Sequence, residues 1–268
     1  MAQRILVFSA TYNEAATIST LIAQVRSVLP MADHLIIDDS SPDGTGVIVA
    51  ECAHSDPRVR LVSRPVKSGL SSAHAAAQRF AQRDGYDWLV TMDADLSHDP
   101  AEIPLLLAPL ATGADFVIGT RSRGGTLHLR GIRRLLSRTA NACARLLLPT
   151  GLSEYTNGFR AFSSHSIAVL HDRHLSEAGY AYALEQIEVL HRAGLQLAEV
   201  PTVFRDRAGG QSKIPRSQVL ITMWVLTRLA VGRWAQRGQR DSLTATPRRA
   251  TRPASSRATG TRKGEQET

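Results

Sequence analysis

The sequence predicts an α/β protein built on a mostly parallel β-sheet with helices on both faces. Short runs that are apolar at every position, such as Ile5-Leu6-Val7-Phe8, alternate with stretches of helical periodicity. A strand apolar on both sides is one buried on both sides, the condition of parallel strands joined by covering helices. The polar clusters follow directly on these runs, at the carboxyl ends of the strands, where open α/β sheets bind ligands. With 268 residues, 43% of them hydrophobic, the chain suffices for one large core of this kind.

The elements follow in order. Ile5 to Phe8 is the first strand, and a helix from about Glu14 to Leu29 comes next. Leu35 to Ile37 is the second strand, closing on acidic and small residues that open another helix. Val59 to Val62 is the third strand, Gly69 to Arg83 a helix, Trp88 to Met92 the fourth strand, Ile103 to Ala111 a helix and Phe116 to Ile118 the fifth strand. After Gly119 the rhythm changes to Arg-rich and Gly-rich sequence. An amphipathic helix from about Ile132 to Leu148, a turn or strand at Gly158-Phe159-Arg160, a helix around Leu184 to His191 and a last strand from Glu199 to Phe204 complete the body.

From Val219 to Trp234 the chain is apolar with two tryptophans, but Arg228 interrupts it and it is too short to span a bilayer comfortably. It is read as an amphipathic helix lying on a surface. No internal repeat is present at solenoid periods.

The formal charge of +8 resembles a nucleic-acid signal until it is located. Between Ala235 and Thr268 eight cationic residues face only Asp241, Glu265 and Glu267, so about five of the eight net charges lie in this tail. Its Ser, Thr, Pro, Gly and Arg cannot bury enough apolar surface to fold, and it is expected to be disordered. The body is only mildly basic, and no nucleic-acid partner is expected. Cys52 and Cys143 stand far apart without metal-ligand spacing and are expected to be buried reduced thiols. No basic leader and apolar run precede the first strand, so no signal peptide is expected and the chain is placed on the cytoplasmic side.

Three polar clusters carry the chemistry. Asp93-Ala94-Asp95 follows the fourth strand, where two carboxylates one residue apart can hold Mg²⁺ or Mn²⁺ against a diphosphate; such a pair also serves as a turn-former or helix cap. Asp38-Asp39-Ser40-Ser41-Pro42-Asp43-Gly44-Thr45 follows the second strand, with Asp39 suited to hydrogen bonds from a base or ribose and Asp43 and Thr45 to capping. Thr11-Tyr12-Asn13-Glu14 follows the first. There the ring suits a nucleotide base, and Glu14 is either a partner for sugar hydroxyls or a first-turn helix charge. All three converge on one sheet edge.

These clusters, with Ala10 before the first, Lys67-Ser68-Gly69-Leu70 and the extension Leu96-Ser97-His98, resemble the inverting family 2 glycosyltransferases. The resemblance spans about residues 4 to 230. Gly119-Thr120-Arg121, the Arg133 to Arg138 stretch with Ser137, Asn157-Gly158-Phe159-Arg160 and Asp206 to Lys213 resemble the branch of that family that mannosylates dolichol-type lipid phosphates.

The resemblance implies a GT-A nucleotide-sugar fold, GDP-mannose as donor and a polyprenyl phosphate as acceptor. It implies that Asp93 and Asp95 hold the metal and diphosphate, and that Thr11, Tyr12, Glu14, Asp39, Lys67 and Ala94 join them around the nucleotide-sugar. Arg121, Arg133, Ser137, Arg207 and Lys213 are assigned to the acceptor phosphate, with Arg121 counted among the catalytic residues. Arginine suits that task because its planar fork matches phosphate geometry. Arg130, Arg133, Arg134 and Arg138 are read either as a solvated basic helix face or as part of this phosphate site. Beside an apolar helix ending in Trp234, such a basic face suits an anionic bilayer carrying a lipid substrate, with a separate membrane-anchoring subunit as a possible partner.

The expected organisation is a catalytic domain over 1–234, with a nucleotide-sugar half (1–119), an acceptor half (120–216) and a membrane-surface helix (217–234), then a basic tail (235–268). Ala10 stands where the family commonly has proline, Glu154 where it has aspartate, and Ser97 where some relatives have a glutamine at the metal site. His98 is read either as lending a nitrogen to the metal or as a polar residue beside a helix. A UDP-sugar donor such as UDP-glucose, a non-lipid acceptor and a non-catalytic basic adaptor are the competing readings. A dehydrogenase, a P-loop ATPase and a serine hydrolase are disfavoured by the lack of their glycine-rich or nucleophile-elbow motifs.

Overall fold

A computed structural model describes residues 3–121, 124–127, 139, 141–171, 175, 179–205, 224–229 and 231. These all fall in one compact unit, Met1–Val231. The chain runs β1 (Ile5–Thr11), α1 (Ile18–Val28), β2 (Asp33–Asp38), α2 (Thr45–Ser55), β3 (Val59–Ser63), α3 (Leu70–Arg83), β4 (Trp88–Thr91), α4 (Ile103–Ala111), β5 (Phe116–Thr120), β6 (Thr126–Leu127), β7 (Arg160–Ser163), α5 (Ser164–His171), α6 (Gly179–Arg192), β8 (Leu197–Pro201) and β9 (Val203–Phe204).

Seven strands form one sheet in the order β3-β2-β1-β4-β7-β5-β8, and β6 pairs with β9 apart from it. Every main-sheet pair is parallel except those of β7, which lies antiparallel to both β4 and β5. The mostly parallel sheet is as the sequence predicts. The internal reversed strand is not, because Arg160-Ala161-Phe162-Ser163 is short and opens on a charged residue.

The all-apolar runs behave as period-two strands with two buried faces. Leu6, Phe8, Leu35, Ile37, Leu89, Phe116, Ile118 and Phe162 point into one core, closed by α3, α5, α6 and the helical segments 141–147 and 224–229. Val7, Ile36, Val90, Val117 and Ala161 point into the other, closed by α1, α2 and α4. Each of the Val, Leu, Ile and Phe side chains among them, fully withdrawn from water, contributes about 1.5–3 kcal/mol.

Several boundaries move. α1 begins at Ile18 rather than Glu14, because Asn13 takes a positive φ of 58° and Glu14 accepts from Thr17 and Ile18 in a turn. The last strand divides at Thr202 into β8, which continues the main sheet, and β9, which leaves it for β6. The chain can return this closely only because residue 125 is glycine: a Cβ there would lie 1.9 Å from the Thr120 carbonyl oxygen. Of the helix expected from Ile132 to Leu148, the described part, 141–147, is helical; of that expected from Val219 to Trp234, 224–229 is helical. Their remaining residues lie outside the described ones. Cys52 and Cys143 are free, but half-buried rather than buried.

Candidate active site

Because β1, β2, β3, β4, β5 and β8 all run in one direction, the turns after them share one edge, and β7 starts there. Hydrogen bonds sew these turns together. Asn13 N–H donates to Ser41 Oγ (3.0 Å), Glu14 N–H to Thr45 Oγ1 (3.0 Å) and Ala15 N–H to Asp43 Oδ2 (3.0 Å). The Thr17 hydroxyl reaches the Ala94 carbonyl oxygen at 2.9 Å, tying the first turn to the fourth.

In the turns after β1 and β2, Thr11 donates to Asp38 Oδ1 at 2.9 Å, and Asp38 also accepts from Ser41. Asp39 is buried and salt-bridged to Arg64, while its Oδ2 accepts the backbone N–H groups of Ser68 (3.2 Å) and Gly69 (3.1 Å). Asp39 therefore shapes the loop that carries Lys67. The Lys67 ammonium lies 3.7 Å from the Tyr12 ring centroid, a cation–π contact. Asp43 accepts from Thr45 N–H (3.1 Å) and Oγ1 (2.6 Å) as expected of a capping group, although the cap position itself is Gly44, at φ 88°. Burial pushes the Asp43 carboxyl up, but the bonds from Thr45 and Ala15 outweigh it and leave it below the usual carboxylate range.

After β4, Asp95 is 4% exposed and accepts Ser97 N–H at 3.1 Å, while the Asp93 side chain is 36% exposed. Gly158 faces Asp93 so closely that a Cβ there would lie 3.0 Å from its Oδ1. Among the described residues no cluster of three or more His, Cys, Asp or Glu forms. Two carboxylates with an open side match a hard cation that takes its other oxygens from substrate phosphates and water. His98 does not join them. Its Nδ1 accepts Asp93 N–H (3.1 Å) and its Nε2 bonds Asn157 Oδ1 (2.8 Å), so both nitrogens are committed and the reading as a polar structural residue holds.

At the end of β5, Arg121 follows the strand, its side chain 8% exposed. Nε and Nη2 donate to the two oxygens of Glu154, each at 2.9 Å, and Nη2 also to Thr156 Oγ1 at 2.9 Å. The guanidinium lies 5.1 Å from the Phe204 ring centroid. Arg160 is buried below this turn and donates to the carbonyls of Tyr155 (2.7 Å), Asn157 (2.7 Å) and Ala183 (3.0 Å) and to Gln186 Oε1 (3.0 Å). Burial lowers its pKa to about 10, against the pull of Glu154, Tyr182 and Asp93.

The edge thus brings together Thr11, Tyr12, Glu14, Asp39, Lys67, Asp93, Ala94, Asp95 and Arg121. Arg133, Ser137, Arg207 and Lys213 lie outside the described residues. Sequence reasoning missed Arg64, Thr17 and the supporting role of Asn157. Arg64 was legible in principle, as the residue directly after a strand whose neighbour ends in two aspartates.

A mostly parallel sheet with an Asp-x-Asp turn and an arginine at one edge fits a glycosyltransferase. The chain belongs to glycosyl transferase family 2, whose family model matches residues 6–168. It is 38% identical over 245 residues to the polyprenol monophosphomannose synthase of Mycolicibacterium smegmatis, covering 89% of each chain. It is 34% identical to the undecaprenyl-phosphate mannosyltransferase of Micrococcus luteus, covering 83% of this chain and 94% of that one. Its fold matches that of glucosyl-3-phosphoglycerate synthase from Mycobacterium tuberculosis, crystallised with Mn²⁺, UDP and glucosyl-3-phosphoglycerate. That match has a TM-score of 0.65 at 21% identity and covers 85% of this chain and 80% of that one.

Proposed function

We propose that this enzyme transfers mannose from GDP-mannose to a polyprenyl phosphate with inversion, giving polyprenyl-phosphate-mannose. The two relatives, whose names specify a mannosylated or mannosyl-accepting lipid phosphate, support the donor and acceptor. The observation that carries the reading is the pairing of chemistries on one edge: Asp93 and Asp95 after β4, and Arg121 after β5.

A phosphate monoester is dianionic near neutral pH and already nucleophilic, so no side chain need remove a proton from it. Its oxygen attacks the anomeric carbon from the face opposite GDP, the C1–O bond to the diphosphate breaks, and GDP departs with the electron pair. The protein's task is to hold two mutually repelling phosphates in line. Arg121, with Arg133, Ser137, Arg207 and Lys213, holds the acceptor phosphate; Tyr12, Glu14, Asp39, Thr11 and Lys67 hold the nucleoside and sugar. Asp93 and Asp95 would hold Mg²⁺ or Mn²⁺, which supplies positive charge to the departing diphosphate.

The catalytic domain is taken to run over 1–234 and the basic tail over 235–268. No helix among the described residues is long and apolar enough to cross a membrane. Trp224 and Leu146, 62% and 83% exposed, suit peripheral contact with the bilayer that holds the acceptor, with or without an anchoring subunit.

The test is transfer of labelled mannose from GDP-mannose into solvent-extractable polyprenyl phosphate in the presence of Mn²⁺ or Mg²⁺. Label entering lipid only from UDP-glucose would overturn the donor; label entering only water-soluble acceptors would overturn the lipid. Arg121→Ala should raise the KM for the acceptor more than that for GDP-mannose, and equal effects on both would remove Arg121 from the acceptor side.

A further inference from the structure

His98 and Asn157 form a directed relay between the two halves of the site. A backbone amide can only donate, so Asp93 N–H fixes His98 Nδ1 as an acceptor, and Nε2 carries the hydrogen that goes to Asn157 Oδ1. Asn157 is oriented in turn. Its Oδ1 faces a second donor, Phe159 N–H at 3.3 Å, and its Nδ2 donates to the Gly119 carbonyl at 2.7 Å. The sequence of bonds therefore has one sense, from the amide of Asp93 to the strand end two residues before Arg121.

The relay is dry and clamped. His98 and Asn157 are each 2% exposed. The His98 ring stacks on Phe159 (centroids 5.0 Å apart, planes at 12°) and meets the edge of Phe204 (5.5 Å, 69°), the ring that also lies against Arg121. Position 119 is glycine where a Cβ would sit 3.2 Å from Asn157 Nδ2, and position 158 is glycine where one would sit 3.0 Å from Asp93 Oδ1. Packing alone would need only a ring between Phe159 and Phe204. Two opposed hydrogen bonds on that ring specify an orientation as well.

We infer that His98 and Asn157 are positioning residues, which make the setting of the Asp93 carboxylate depend on the strand end that carries Arg121. This rests on the reading of Asp93 and Asp95 as the cation-holding pair. Partners that orient a metal-binding carboxylate through its own turn belong to the outer shell, whose loss weakens metal affinity by about 10–100-fold. The same bonds keep the acceptor-side strand in register with the metal-side turn, the alignment that in-line transfer between two phosphates demands.

The experiment measures Mn²⁺ binding to the full-length protein with GDP, by the free-Mn²⁺ electron paramagnetic resonance signal, alongside thermal unfolding. His98→Phe keeps the stacked ring and removes both nitrogens. It should fold and bind Mn²⁺ about 10–100-fold more weakly. Asn157→Leu, which leaves His98 in place, should give a comparable loss, and the double variant should be no weaker than the weaker single one, because both break one relay. Additive losses, or unaltered Mn²⁺ affinity in whichever single variant folds, would overturn the relay. Asp95→Ala separates the two readings. If it binds Mn²⁺ as the parent does, the cation site itself falls; if it loses Mn²⁺ while His98→Phe and Asn157→Leu do not, only the relay falls.

Discussion

The Glu154 carboxylate holds the Arg121 guanidinium by two parallel hydrogen bonds of 2.9 Å, in a place where the two side chains are 1% and 8% exposed. The extra methylene of glutamate, at a position where the resemblance suggests aspartate, spans the distance between the 153–156 turn and the end of β5. Burial would raise the Glu154 carboxyl; Arg121, with the Thr156 amide and Asn141, outweighs it and holds the pKa at about 2.

Glu154→Gln should therefore leave a buried guanidinium without its counter-charge and destabilise the fold by about 3–5 kcal/mol. A native pKa near 2 against an ordinary one near 4.5 means that the contribution is complete above about pH 4.5 and disappears as the pH falls toward 2. Urea unfolding across that range should show a slope in the parent that the variant lacks.

His34 behaves in the opposite protonation state with the same sign. It is fully buried in β2, and burial, helped by the charge of Arg26, lowers its pKa to about 3. Between pH 6.5 and 3 the unfolded chain binds a proton that the folded chain refuses, so stability declines with falling pH by up to about 1.4 kcal/mol per unit. Replacing it, as in His34→Val, should flatten the stability profile between pH 7 and 5 by close to one proton; an unchanged slope would show that His34 titrates in the native state.

Gly158→Ala is expected to damage catalysis more than folding. No positive φ is required at this position, but the added methyl would press to 3.0 Å from Asp93 Oδ1 and 3.7 Å from His98 Cε1. Asp93 must then turn. A kcat reduced at least about tenfold, at a cost of about 1–3 kcal/mol or less in stability, is the outcome that fits an overpacked site beside a partly exposed carboxylate.

Lys67→Met keeps the length of the side chain over Tyr12 and removes its charge. If Lys67 and Tyr12 form one wall of the donor site, GDP affinity should fall by about 3- to 30-fold, the range spanned by an exposed to a desolvated cation–π or phosphate contact. Isothermal titration with GDP reads this directly, and unchanged affinity would remove Lys67 from the donor site.

Much of this enzyme was legible before any coordinates. The apolar runs foretold strands buried on both faces, because a period-two element without polar positions has no side left for water. The acidic motifs were assigned to strand ends, and shared strand direction then forces them onto one edge. The Asp93-Ala94-Asp95 turn and Tyr12 were placed in this way, whereas Arg121 was picked out through the resemblance of Gly119-Thr120-Arg121 to the lipid-phosphate branch.

Tertiary structure alone decided the rest, since it depends on which residues meet across long stretches of chain. Nothing local in Arg160-Ala161-Phe162-Ser163 announces a strand that runs backwards between β4 and β5, or a buried arginine held by four acceptors. Asn157 reads as a turn residue until His98 and the Gly119 carbonyl close on it from positions 59 and 38 residues away. Local composition determines how a segment satisfies its backbone and its apolar faces, whereas the partner of a buried polar side chain is set by the folded chain as a whole.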